Sequence, residues 1–282
     1  MPVSTILEGG FTAADPQSKL IVVVDPYSTG CVIAQEMTRR GYQILAVWTF
    51  GFAEEMKKHV PLACAGLEYY AVVEEIENDV DGTIALLRKA AGDLTIVAAI
   101  AGGEAGVDYA DVLSEKLGLL TNGTQIPNRR DKKVQQELIA ASGMRSVRQA
   151  GSDKFEDVEA FLKTESYPLV VKPTESAGSD GVKLCHSFEE AKDHFNLLMH
   201  KQLVNGGACP AVLCQEFLRG SEYIVDHVSR EGVHKCMGVW VYERRAVNGV
   251  SISSSSYFIE IFLGHMRLYV LFSRSQYHFY YF

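Results

Sequence analysis

The chain has 282 residues, 47% of them hydrophobic and 22% charged, with a mean hydropathy of +0.01; this suits a globular chain of about two domains and excludes predominant disorder. Lys and Arg number 27 against 35 Asp and Glu, a net charge of −8, so an extended basic face for nucleic acid or anionic lipid is excluded too. The longest apolar stretch, Tyr257 to Phe272, is interrupted by Glu260, His265 and Arg267 and does not read as a bilayer span, which needs ~20 mostly apolar residues.

Met1 to Leu20 has neither the cationic opening nor the apolar centre of a signal peptide. The six cysteines, Cys31, Cys64, Cys185, Cys209, Cys214 and Cys236, form no C-x-x-C and read as buried thiols of a reducing compartment, the cytoplasm. From residue 20 the β-branched run Ile21 to Asp25 reads as a strand of a parallel sheet, buried on both faces. A turn over Pro26 to Gly30 precedes a helix from Cys31 to Arg40, stopped by Gly41. Strands at Gln43–Thr49, Tyr69–Val73 and Leu94–Ile100 alternate with helices at Ala53–His59, Val80–Ala91 and Glu104–Leu117. That rhythm predicts a doubly wound α/β domain over residues 20–120, after an N-terminal tail at 1–19.

A turn-rich passage, Thr121 to Pro127, reads as a linker. Beyond it come a charged helix from Arg130 to Ser142, a strand at Arg145–Gln149, and a helix capped by Asp153 and running to Lys163. The buried strand Leu169–Lys172 leads through a loop of small residues, Thr174 to Gly181, to a strand at Val182–Cys185 and a helix from its Ser187 cap to Met199. Strands at Val212–Phe217, Glu222–Ser229 and Val233–Tyr242 complete an α+β pattern over residues 126–250. The segment 251–282, with serines at 253–256 and aromatics crowded from Tyr257 to Phe282, shows neither helix nor strand period; it reads as an atypical tail, truncated or artefactual, which leaves the second domain incomplete at its C-terminus.

Within 126–250 four features suit a nucleoside triphosphate. An acidic protein must hold polyphosphate with discrete cations, and Lys132 and Lys172 supply ammonium groups from different elements. Small residues at 176–181 let backbone amides approach phosphate oxygens. The strand end Glu216–Leu218 can offer backbone groups to an adenine edge, and Glu222, beyond the Gly220 turn, can accept ribose hydroxyls. Taken alone, Arg130–Lys133 reads as a solvated helix start, Glu216 and Glu222 as surface strand residues, and His194 and His200 as surface residues of one helix. Asp25 to Gly30 lacks the glycines of a dinucleotide fingerprint, so NAD is not expected. No H-E-x-x-H, Ser/His/Asp triad or nucleophile elbow is present.

In order and spacing these features resemble the ATP-grasp superfamily, carboxylate–amine ligases akin to amino-acid ligases, biotin carboxylase and the carbamoyl-phosphate synthetase large chain, over roughly residues 20–250. The resemblance implies a pre-ATP-grasp domain at 20–120 and a nucleotide-binding region at 126–250. By position, Lys132 matches the first nucleotide lysine, with Lys133 its near rival, and Lys172 matches the second, on the α- and β-phosphates. Ser176, Gly178, Ser179 and Gly181 match the loop over the phosphates, Glu216, Phe217 and Leu218 the adenine hinge, and Glu222 the ribose-binding acid. ATP is implied, with a small carboxylate and an amine as substrates joined through an acyl phosphate, and homodimers are common in the family. Magnesium is implied as well, but the family's Glu-x-Asn strand has no match here: Ile259-Glu260-Ile261-Phe262 lacks the asparagine, so no metal ligand and no catalytic residue is assigned. A non-catalytic ATP-binding protein, or an incomplete fragment lacking the metal half-site, stands as the alternative.

Overall fold

The computed structural model describes residues 16–125, 131–175, 180–201, 209–247 and 250–259. The chain divides into two compact units, Met1–Arg129 and Arg130–Phe282. In the first, strands β1 (Lys19–Val24), β2 (Gln43–Trp48), β3 (Ala71–Glu74) and β4 (Thr95–Ala101) form one sheet in the order β3-β2-β1-β4. Every pairing in it is parallel. Helices α1 (Thr29–Arg39), a short α2 (Glu54–Lys57), α3 (Val80–Ala91) and α4 (Val107–Lys116) complete the unit. Leu20, Val22 and Val24 face one core with Ile84 and Leu87 of α3 and Leu113 of α4. Ile21 and Val23 face the other with Ala34 of α1. Strand β1 is therefore apolar at consecutive positions because each of its faces meets a helix layer, as the run at 21–24 predicts. The helix expected from Glu104 begins with a 3-10 turn at Glu104–Gly106 and becomes α-helical at Val107.

The turn after β1 packs onto the turn after β4 at van der Waals limits. A Cβ on Gly30 would lie 2.2 Å from the carbonyl oxygen of Gly102, and one on Gly103 would lie 2.0 Å from the Tyr27 ring. Glycine is required at Gly30, where the neighbour is backbone, whereas a side chain at Gly103 would have to displace the Tyr27 ring.

The second unit holds α5 (Lys132–Ala141), β5 (Gln149–Ser152), α6 (Phe155–Thr164), β6 (Leu169–Pro173), β7 (Lys183–Cys185), α7 (Phe188–Met199), β8 (Val212–Glu216), β9 (Glu222–Arg230), β10 (Val233–Val247) and β11 (Val250–Ile259). One sheet has the order β5-β8-β6-β7 and another the order β11-β10-β9, and every ladder in both is antiparallel. Leu169 and Val171 of β6, with Val212 and Cys214 of β8, face a core closed by Val158 and Leu162 of α6 and Phe195 and Leu198 of α7. Phe195 is the largest fully buried side chain among the described residues, and the Phe155 ring stands edge-on to it at 5.5 Å.

Three expectations are corrected. The strand read at Arg145–Gln149 lies at Gln149–Ser152, because residues 145–148 are drawn into side-chain bonds described below. Asp153 does not cap α6; Lys154 occupies that position, while the Ser152 hydroxyl accepts from the Lys154 amide and donates to Asp157. Residues 251–259 of the supposedly patternless tail belong to β11, which starts at Val250 and forms a hairpin with β10; backbone pairing to a long neighbour needs no alternating sequence. Residues 260–282 lie outside the described residues. Five of the six cysteines are buried, Cys236 is exposed, and all are free. No helix among the described residues is long and apolar enough to cross a membrane.

Candidate nucleotide site

Asp131 fixes the start of α5. Its carboxylate accepts from the amides of Lys133, at 2.7 Å, and Val134, at 3.0 Å, as an N-cap does. Lys132 is thereby the first helical residue. Its amide donates to the Thr174 carbonyl at 3.2 Å, and its Nζ reaches the same oxygen at 3.4 Å. Lys133 turns elsewhere: its stem lies against Gly151 and its Nζ is 3.9 Å from Glu137. The two lysines that the sequence leaves as rivals are thus separated by direction.

Lys172 lies on β6 between the core residues Val171 and Pro173. Strand alternation turns it out of that core, onto the face that carries Leu213, opposite it in register, and the paired Gln215 and Gln149. Gln215 donates to Gln149, which donates to the Lys133 carbonyl at 2.9 Å, tying α5 over this face. Lys172 is itself largely buried. Burial first, and the charge of Lys132 second, pull its ammonium from the usual lysine range down to about 8. The two amines are therefore close enough to repel. Lys132 stands at the positive end of α5, where the helix dipole disfavours a cation.

Thr174, two residues beyond Lys172, is 2% exposed, and its hydroxyl has no hydrogen-bond partner among the described residues. A largely buried cation repelled by its neighbour, beside an unsatisfied hydroxyl, forms a locus that an anion would relieve. Gly181 ends the small-residue loop with φ +75, and a Cβ there would meet Leu198 at 2.8 Å and Pro173 at 2.9 Å. Its carbonyl accepts from His194 Nε2 at 2.8 Å, and Asp180 pairs with Lys201. His194 is thus half-buried and bonded, not the surface residue expected; burial lowers its pKa, against the favourable carbonyl bond. His200 is exposed. Ser176, Gly178 and Ser179 lie outside the described residues.

Glu216 ends β8 and is 8% exposed, contrary to its isolated reading as a surface residue. Its Oε1 accepts from Arg145 at 3.0 Å and from the Arg148 amide at 2.9 Å, and its Oε2 lies 2.8 Å from the Arg148 guanidinium. Phe217 and Leu218 follow it, both exposed, and Arg219 stacks 5.6 Å from the Phe217 ring. Glu222 opens β9 and is exposed. The structure thus brings Lys132 and Lys172 together and sets the 216–218 stretch at the far end of the neighbouring strand. Sequence reasoning missed Thr174, Arg145 and Arg148; arginines three apart within a stretch read as a strand were the available signal.

Among the described residues no cluster of three or more His, Cys, Asp or Glu side chains could hold a metal ion. Magnesium beside a nucleotide is usually held by only one or two carboxylates together with phosphate oxygens and water; Glu260 lies outside the described residues.

Residues 130–249 match the family model for the ATP-grasp (A) domain of phosphoribosylglycinamide synthetase. Dapdiamide A synthase of Enterobacter agglomerans is 30% identical over 242 residues, 85% of this chain and 55% of that protein. Alanine–anticapsin ligase of Bacillus subtilis strain 168 is 32% identical over 133 residues, 42% of this chain and 28% of that enzyme. The chain thus spans about half the length, or less, of the curated relatives it matches. Among solved structures, L-amino acid ligase from Bacillus licheniformis superposes with a TM-score of 0.63 at 16% identity, covering 87% of this chain and 57% of that one. N5-carboxyaminoimidazole synthetase from Staphylococcus aureus, complexed with ADP, gives 0.58 at 15% identity, covering 90% and 69%. These likenesses establish the fold: a parallel sheet followed by antiparallel sheets, as in ATP-grasp ligases.

Proposed function

This chain belongs to the ATP-grasp superfamily, and on that premise we propose that it binds ATP across β6 and β8 and takes part in ATP-dependent joining of a small carboxylate to an amine. The observation that carries the reading is the pair of ammonium groups, Lys132 and Lys172, from separate elements, one largely buried and already repelled by the other. Such a pair gains most from a triphosphate, whose charge turns repulsion into attraction. The register supports the rest. Lys172 pairs with Leu213 and Glu216 lies three residues further along β8, roughly 10 Å at the usual strand rise, comparable to the span from purine edge to phosphates.

In this reading Lys132 and Lys172 neutralise phosphate oxygens, Thr174 offers its hydroxyl, and the backbone at 216–218 meets the adenine edge. Ser176, Gly178, Ser179 and Gly181 belong to the loop over the phosphates, and Glu222 receives the ribose hydroxyls. The reaction class transfers the terminal phosphoryl group to a carboxylate oxygen with ADP leaving; the amine then displaces phosphate to give the amide, losing a proton. Positioning and charge neutralisation are what these residues supply. The names of the relatives, an alanine ligase and an L-amino acid ligase among them, support an amino acid as one substrate.

The test is titration calorimetry of the chain with ATP, for wild type and for Lys172→Ala and Lys132→Ala. Saturable binding that each substitution weakens at least tenfold supports the site; unchanged affinity in both variants overturns it. Phosphate release on adding amino acids with magnesium separates a ligase from a protein that only binds ATP.

A further inference from the structure

Glu216 carries more bonds than a strand end requires. Three donors converge on its carboxylate: the Arg145 guanidinium at 3.0 Å, the Arg148 amide at 2.9 Å and the Arg148 guanidinium at 2.8 Å. Its own amide returns a bond to the Arg148 carbonyl at 3.0 Å. Arg148 is in turn gripped from outside by Glu165, at the C-terminal end of α6, through 2.8 Å and 3.0 Å bonds. Glu216 is nearly buried, whereas both arginine side chains are more than half exposed. The segment 143–148 has no regular secondary structure, and this carboxylate, with the backbone bond between Glu216 and Arg148, fastens it to the sheet.

The location gives the cluster its meaning. Glu216 is the last residue of β8, and β9 begins a different sheet at Glu222. The five residues between them, 217–221, make no ladder bonds, and their backbone direction is inherited from the anchored residue before them. A carbonyl accepting from an adenine amino group and an amide donating to its ring nitrogen must both be aimed. Guanine presents the opposite polarity at those positions, so aim at the base edge is also discrimination.

We propose that Arg145, Arg148 and Glu216 form a positioning clamp that sets the 217–218 backbone for adenine and so determines purine selectivity, while leaving the phosphate lysines untouched. The proposal rests on the ATP reading above. The clamp side chains do not touch the nucleotide; they act through the backbone that does. Lys132 and Lys172 lie at the opposite end of the β6–β8 pairing, so phosphate affinity and base selectivity are separable.

The experiment measures dissociation constants for ATP, GTP and inorganic tripolyphosphate by calorimetry, on wild type, Arg145→Ala, Arg148→Lys and Glu216→Gln. Glu216→Gln keeps the side-chain shape, and Arg148→Lys keeps the charge but loses the planar fork, so a folded variant is available if truncation fails. The expected result is a loss of about tenfold or more in the ATP-to-GTP preference, with tripolyphosphate affinity within twofold of wild type. Equal weakening of all three ligands, or an unchanged preference in every folded variant, overturns the clamp. Failure of the underlying ATP site reads differently: ATP would then bind no tighter to wild type than to Lys172→Ala.

Discussion

Replacing Lys172 with methionine separates what this residue costs the fold from what it gives the site. A lysine held at about 8 where its ordinary value is 10.5 carries a folded-state charge that costs about 3 kcal/mol, at about 1.4 kcal/mol per tenfold change in proton affinity. Methionine retains most of the hydrocarbon stem and removes the charge, so Lys172→Met is expected to be more stable than wild type by up to about 3 kcal/mol at pH 7. The pH dependence follows from the direction of the shift. Below pH 8 the folded and unfolded chains both hold the proton and the full cost is present. Between about 8 and 10.5 the unfolded chain still binds a proton that the folded chain has released, so wild-type stability rises with pH through that window. The advantage of the methionine variant therefore shrinks across the same window. Urea denaturation of both proteins at pH 7 and pH 10 reads the two gaps directly. A variant less stable than wild type at pH 7, or a gap that does not change with pH, would refute the reasoning. If the lysine serves a phosphate, the stabilised variant also loses ATP affinity.

Thr174→Val removes a buried hydroxyl that has no partner among the described residues. The variant is expected to gain about 1–2 kcal/mol in thermal or urea unfolding, and to bind ATP more weakly if that hydroxyl meets a phosphate. Gly181→Ala places a Cβ at φ +75 within 3 Å of Leu198 and Pro173. A loss of about 2–4 kcal/mol is expected by the same measurement, and an alanine variant as stable as wild type would contradict the packing. Phe195→Ala empties the centre of the α6–α7 core and is expected to cost about 3–5 kcal/mol, read as a lower urea midpoint. Nucleotide binding above pH 8 should draw a proton onto Lys172, because a neighbouring phosphate raises its depressed pKa; calorimetry at pH 8.5 in two buffers of different ionisation enthalpy detects the uptake as a buffer-dependent heat.

Much of the fold was legible because its elements are local and periodic. The buried run at 21–24 announces a strand covered on both faces, and Ser187 with the apolar spacing to Met199 announces α7, where the Ser187 hydroxyl accepts from the Glu190 amide. Lys132 and Lys172 were legible as residue types at suitable places. Their convergence was not, because it depends on the Thr174 carbonyl receiving the first turn of α5 from 42 residues away. The same limit hid the clamp: nothing near Arg145 in sequence indicates Glu216, 71 residues on. Without that partner the stretch 145–149 reads as a strand. The hairpin β10–β11 escaped notice for another reason, since a serine run carries no alternation and is made a strand by its neighbour's backbone.

The glycine-to-carbonyl packing after β1 and β4 decides what the first unit can accommodate. In open α/β sheets, ligands settle in the crevice where successive connections depart in opposite directions, and here that fork lies between β1 and β4. The chain's own peptide units fill it: with a single methyl on Gly30 overlapping the Gly102 carbonyl, a pyrophosphate has no seat there.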